Sequence, residues 1–284
     1  MRLYITGTNM NKTYFPKLDE FYDKMSKAVT QSGIAQNFIT KWGLERLADI
    51  YDILNTNVQG GYDSHQHTML STAAGDSVLN VGPGMGFCVF LLSELFNSVL
   101  VAEPDRENCT LLSSIARHYK THSHKYANEI VKIFHAGIAI TDEAVNYWNT
   151  KQELMKKRKL KGSILNFSIQ GARELRDILH EKVSRVYLHK VLSSLSISTG
   201  IETVISQCRL FLKEEGEITW SEPQYIFDDI LQLNEKRSLN QAITPIFEKN
   251  EMHFQIENYQ LTNKSEATTP GNIENWILIK AALK

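Results

Sequence analysis

Asp76 to Asp105 reads DSVLNVGPGMGFCVFLLSELFNSVLVAEPD. It begins with a short apolar run rich in β-branched residues, Ser77-Val78-Leu79-Asn80-Val81, of strand length. A glycine-rich turn follows, Gly82-Pro83-Gly84-Met85-Gly86, and passes into an apolar helical stretch from Phe87 to Phe96. A second apolar run, Ser98-Val99-Leu100-Val101-Ala102, ends at Glu103. The order is strand, turn, helix, strand. Glycines let the main chain turn sharply and let a ligand approach it. A turn that opens onto a helix N-terminus favours anionic groups. A carboxylate at the tip of the next parallel strand is placed to accept bonds from a ribose diol. The stretch therefore reads as a nucleoside site.

Glycine spacing separates the nucleoside classes. A dinucleotide fingerprint, G-x-G-x-x-G, would need its third glycine at 87, where this chain has Phe87. The spacing here is G-x-G-x-G, at Gly82, Gly84 and Gly86. With Glu103 at the next strand tip, the stretch resembles the class I S-adenosylmethionine-dependent methyltransferases. The resemblance implies a Rossmann-like, doubly wound α/β fold with a seven-stranded, mostly parallel sheet. It implies S-adenosylmethionine as cofactor and S-adenosylhomocysteine as product. Cofactor contacts are then expected from Asn80, Gly82, Pro83, Gly84 and Gly86, and from Glu103 and Pro104 at the ribose.

The 284 residues, 42% of them hydrophobic, suffice for one large α/β domain with additions. A formal net charge of −1 creates no global field toward nucleic acid or an anionic membrane. No apolar run approaches the ~18 residues of a membrane helix, and MRLYITGTNMNK lacks the charged and apolar regions of a secretion signal. Cys88, Cys109 and Cys208 are far apart and odd in number. They suit buried thiols in a reducing cytoplasm, and their spacing suits no zinc site. The expectation is a cytoplasmic protein with a small-molecule substrate and no metal, with a homodimer left open.

Ahead of the core, Leu18 to about Asn55 has helical periodicity, with Phe21, Met25, Ala28 and Val29 recurring on one face. Residues 1–73 are read as a helical region that either covers the sheet or forms a lid, and the methyltransferase domain as 74–284. The polar stretch before the first strand carries Gly60-Gly61, then Tyr62, His65 and His67. A loop there can reach the cofactor, Tyr62 can touch substrate, and either histidine can serve as a base near neutrality. His65-x-His67 has no third ligand nearby, which argues against a metal.

Beyond Glu103, Asp105 to about Tyr119 suits a helix, and Glu129–Phe134 and Ser163–Ile169 are two candidates for the third strand. The second is favoured, because Gln170-Gly171-Ala172 resembles the family's adenine-side turn without its acidic residue. This makes residues of about 120–162 an insertion. Thr141 to Lys161 reads as a helix ending in the basic run Lys156-Lys157-Arg158-Lys159. Lys182–Leu192 is the fourth strand, with His189 near its end as the leading candidate for a cofactor- or substrate-side group and base. No Asn/Asp-Pro-Pro-aromatic clasp for a flipped base is present there, which argues against adenine-N6 chemistry. RLFLKEEGEITWSEP resembles the family's helix, turn and fifth strand. A helix from Gln224 to about Gln241 then carries Tyr225 and Asp228 as candidate substrate contacts. Met252–Leu261 and Asn275–Leu283 suit a closing antiparallel pair.

The function so read is methyl transfer to an O or N atom of a small molecule. The alternatives are a protein or RNA acceptor reached through the basic run, and a non-catalytic binding protein.

Overall fold

The computed structural model describes residues 18–33, 75–84, 87–157, 169, 171–192, 195, 200–231, 238–262 and 273–284. Tyr62, His65, His67, Gly86 and Gln170 lie outside the described residues, as do Arg158 and Lys159.

The sheet grows from its centre. β1 (Gly75–Val81) pairs in parallel with β2 (Phe96–Glu103) on one side and β5 (Val183–His189) on the other. These strands are near-continuous apolar runs, because helices cover both faces of a parallel sheet. Outward from β2 come β3 (Val131–Gly137) and the two-residue β4 (Arg173–Glu174). Outward from β5 come β6 (Leu212–Pro223), β8 (Ile273–Leu283) and β7 (Met252–Thr262). β8 is antiparallel to both of its neighbours, and every other pairing is parallel. The sheet thus has eight strands where seven were expected, the extra one being β4. The order in which strands are added reverses at β1, which creates a crevice beyond the β1 and β5 tips where such sheets bind ligands.

Helices α1 (Leu18–Gln31), α2 (Phe87–Leu95) and α3 (Arg106–Ala116) cover one face, with Phe21, Met25, Phe90, Leu92, Leu112 and Tyr119 in its core. α4 (Asp142–Lys157) follows β3. On the other face α5 (Gly200–Leu210), α6 (Gln224–Leu231) and α7 (Leu239–Lys249) bury Val204, Phe227 and Phe247 against Val186, Trp220 and Ile277. No helix of the described residues is long and apolar enough to cross a membrane.

Four expectations change or narrow. The third strand beside β2 is β3, at 131–137, not 163–169, of which only Ile169 is described and lies outside any strand. An insertion therefore cannot begin at 120. Both segments are β-branched apolar runs, and only pairing with β2 separates them. Second, the expected long helix after β6 is two helices. Ser238 starts the second with a capping box: its Oγ accepts the Gln241 N–H at 3.3 Å, and Gln241 Oε1 accepts the Ser238 N–H at 3.0 Å. Third, α1 covers the sheet, one of the two readings left open for this region. Phe21 packs on Tyr119 at 6.1 Å between ring centroids, and Lys24 Nζ donates to Glu94 at 2.8 Å. Glu94 is next to last in α2 and Tyr119 follows α3, so this end of α1 sits at the N-terminal edge of the strands, opposite the glycine turn. Fourth, Gly171 and Ala172 precede β4, whose Arg173 pairs with Ala136, so they lie on the outer edge of the sheet. The tip of β3 instead runs into Ile138, Ala139 and Ile140, whose turn is held by Glu174. The Glu174 carboxylate accepts the amides of Ala139 at 3.1 Å and Ile140 at 2.9 Å.

Candidate functional site

The turn after β1 holds two glycines in the left-handed region, Gly82 at φ +60° and Gly84 at φ +63°. A side chain at either would strain the backbone. The Gly82 amide donates to the Ala102 carbonyl at 2.8 Å, which ties the turn to β2. The Gly84 amide donates to Glu103 Oε2, also at 2.8 Å.

Glu103 is buried, 3% exposed, at the tip of β2. Its Oε1 accepts the Asp105 amide at 2.8 Å and lies 3.4 Å from Asn108 Nδ2. One carboxylate thus joins the glycine turn to the start of α3. Burial pushes its acid up to about 8, although the Asp105 and Gly84 amides lower it. Asp105, 1% exposed, caps α3 by accepting the amides of Glu107 at 2.7 Å and Asn108 at 2.9 Å. Pro104 lies between the two acids, and its carbonyl accepts from His135 Nε2 at 3.0 Å, so that nitrogen carries the hydrogen. His135 pairs with Glu103 across β2 and β3.

Asn80, 1% exposed, is next to last in β1. Its Nδ2 donates to Cys88 Sγ at 3.2 Å, while its Oδ1 is buried with no hydrogen-bond partner among the described residues. Buried polar atoms of this kind call for a donor. Pro83 and Gly84 are half-buried beside it.

On the other side of β1 the tip of β5 carries His189, 8% exposed. Its ring stacks on Trp276 at 5.4 Å and 15°, and Tyr259 stacks on the same indole at 6.1 Å. Lys190, at φ +54°, holds its Nζ over that indole at 4.8 Å. Tyr225 and Asp228 lie in α6, which leaves directly from the tip of β6. Tyr225 is 55% exposed and Asp228 half-buried.

Sequence reasoning missed Glu222, the penultimate residue of β6. It is fully buried, and its Oε1 accepts the Leu192 amide at 2.7 Å and Trp220 Nε1 at 3.1 Å. Its Oε2 has no hydrogen-bond partner among the described residues. The available signal was an acid ending an apolar strand just before a proline. The structure thus brings Asn80, Gly82, Pro83, Gly84, Glu103 and Pro104 together around β1 and β2, and His189 and Glu222 around β5 and β6. Gly171 and Ala172 stand apart from both groups. Among the described residues no cluster of three or more His, Cys, Asp or Glu could hold a metal.

No family model matches the chain, and no curated protein matches it. Several solved structures resemble it. The YcgJ protein of Bacillus subtilis is 11% identical over 78% of this chain and 99% of its own, with a TM-score of 0.48. The N-methyltransferase NodS of Bradyrhizobium japonicum, in complex with S-adenosylhomocysteine, is 12% identical over 78% and 86%, with a TM-score of 0.45. A precorrin-6y C5,15-methyltransferase of Geobacter metallireducens is 15% identical over 78% and 88%, with a TM-score of 0.44. Identities this low carry no residue's role across, and the fold is read from the sheet itself. A parallel sheet wound both ways from β1, a reversed β8 inserted between β6 and β7, and a glycine turn after the central strand make up a Rossmann-like, doubly wound α/β architecture.

Proposed function

We propose that this chain is an S-adenosylmethionine-dependent methyltransferase acting on an O or N atom of a small-molecule acceptor. The observation that carries the reading is Glu103, a buried carboxylate at the β2 tip joined to the Gly84 amide. The residues present fit the cofactor. Glu103 would take the ribose hydroxyls, and the left-handed glycines leave the main chain open to the methionine end. Asn80 Oδ1, buried and with no donor among the described residues, would take the ammonium of that end. The adenine would lie by the β3 tip, against the turn that Glu174 holds at Ala139 and Ile140. The cofactor supplies an electrophilic methyl on sulfur, and orientation provides most of the rate. The protein's part is to align the acceptor and to take its proton when it is a phenol, alcohol or ammonium.

His189, Tyr225 and Asp228 are the described candidates on the acceptor side. His65, His67 and Tyr62 remain candidates in the segment before β1. The near-neutral charge and the missing base clasp support a small acceptor over a nucleic acid.

The test is calorimetric titration of S-adenosylmethionine and S-adenosylhomocysteine into wild type and Glu103→Ala. Hydrogen bonds to a charged group contribute ~1.5–3 kcal/mol each, so the variant should bind at least about tenfold more weakly. Wild type that binds neither compound would sink the proposal.

A further inference from the structure

We infer that Glu222 is the acceptor-side catalytic residue: its Oε2 takes a hydrogen bond from the acceptor's N–H or O–H, and then its proton during methyl transfer. This rests on the methyltransferase reading.

Three observations converge on it. The first is the bare oxygen. Glu222 is fully buried; the Leu192 amide and Trp220 Nε1 bond Oε1, and the Val191 amide also acts on the carboxylate. Oε2 meets no donor among the described residues. Such a buried oxygen is costly unless something supplies a donor. The second is place. Val81 is level with Leu188 across β1 and β5, and Leu188 with Trp220 across β5 and β6, so Glu222 stands two residues beyond that level. Two strand spacings put β6 about 10 Å sideways from the glycine turn. Glu103 is on β2, to the opposite side of β1. A nucleoside whose ribose sits on Glu103 and whose tail sits on the turn therefore has its reactive centre on the β5–β6 side. The third is a shared wall. Leu192, whose amide Glu222 binds, follows Val191, and a methyl group built on Gly82 would lie 3.8 Å from Val191 Cγ2. Carboxylate and glycine turn thus flank one short segment.

The environment suits proton transfer. Burial pushes the Glu222 acid up to about 7, with the bonds from Leu192, Trp220 and the Val191 amide and the charge of Lys190 acting the other way. In the step, the lone pair of the acceptor atom forms the new bond to the methyl carbon. The carbon–sulfur bond breaks, and its electron pair stays on sulfur, which becomes a neutral thioether. The proton leaves the acceptor atom for Glu222 Oε2 and passes from there to water.

Sinefungin tests this without a known acceptor, because an amine-bearing carbon replaces its methyl-bearing sulfur. An ammonium at that point would bond a carboxylate facing it. Wild type is expected to bind sinefungin roughly tenfold or more tighter than S-adenosylhomocysteine. Glu222→Gln should bring the two to within about twofold while keeping the S-adenosylhomocysteine affinity, which also reports folding. A preference that survives in Glu222→Gln overturns the assignment of Glu222. If that variant does not fold, wild type decides alone, and a preference below about threefold overturns it. Wild type that binds neither ligand overturns the methyltransferase reading, and this inference with it.

Discussion

Glu103 should make the affinity for the nucleoside depend on pH. Burial pushes its acid up to about 8, against the lowering by the Asp105 and Gly84 amides. A ribose diol donates to the carboxylate and selects its ionised form. The apparent dissociation constant is then the intrinsic one divided by the ionised fraction. With an acid near 8, that fraction is about one-hundredth at pH 6, about one-tenth at pH 7 and about one-half at pH 8. Affinity should therefore rise about tenfold from pH 6 to 7, about fivefold from 7 to 8, and level off above. Binding at pH 7 should release about nine-tenths of a proton. The same shift acts on folding. The folded acid lies above the ordinary 4.5, so its contribution to stability is fully present below about 4.5 and is lost as pH rises through about 8. The neighbouring thiols stay protonated throughout, Cys109 pushed up to about 12 and Cys88 to about 11, mainly by burial. The assay is calorimetry with S-adenosylhomocysteine at pH 6, 7 and 8, in two buffers of different ionisation enthalpy. Glu103→Gln should bind weakly, with no such pH dependence and no proton release from this site. A wild-type affinity flat to within about twofold over this range, with no proton released, would refute the reasoning.

At the other edge of the sheet, Glu94 accepts from Lys24 Nζ, Tyr119 OH and His122 Nδ1, each at 2.8 Å, and from the His122 amide at 2.7 Å. Burial alone would raise its acid, but these donors hold it below 4.5. Glu94→Ala should cost about 3 kcal/mol in urea denaturation at pH 7, and the wild-type advantage should shrink as pH falls from the ordinary 4.5 through the lowered acid; a loss under about 1 kcal/mol would show that the network holds α1 only weakly. Gly84→Ala meets no atom within 4 Å, so its cost is the left-handed backbone alone, about 1–2 kcal/mol in thermal unfolding. Calorimetry should show a larger loss of S-adenosylhomocysteine affinity in that variant, since the methyl stands where the ligand approaches.

The strands that pack on both faces were legible along the chain. β1, β2, β5 and β8 carry apolar runs, and β7 alternates as a sheet-edge strand does. The turn inside β6 was legible too: the register across β5 jumps between Leu212 and Glu217, and Glu215 takes φ +62°. α7, which carries Pro245 in its interior, was missed although Ser238-Leu239-Asn240-Gln241 is a capping-box pattern. Of the candidate site, Gly82, Gly84 and Glu103 were legible because their chemistry depends on short-range spacing within one βαβ unit. His189 was legible as a polar residue at a strand end, but its stack on Trp276 joins residues 87 positions apart.

By itself the sequence determined the βαβ unit, with its glycine turn and strand-tip carboxylate, and the apolar strands that make the sheet. These are local properties, set by periodicity and by glycine's access to positive φ. Only the tertiary structure decided that 131–137 lies beside β2, that α1 packs at the edge opposite the glycine turn, and that Glu222 is buried with one oxygen that finds no partner among the described residues. Each depends on which distant segments pair, and pairing is chosen by the free energy of the whole sheet and its two helical layers. An apolar run or a strand-end acid looks the same along the chain whichever partner it finds.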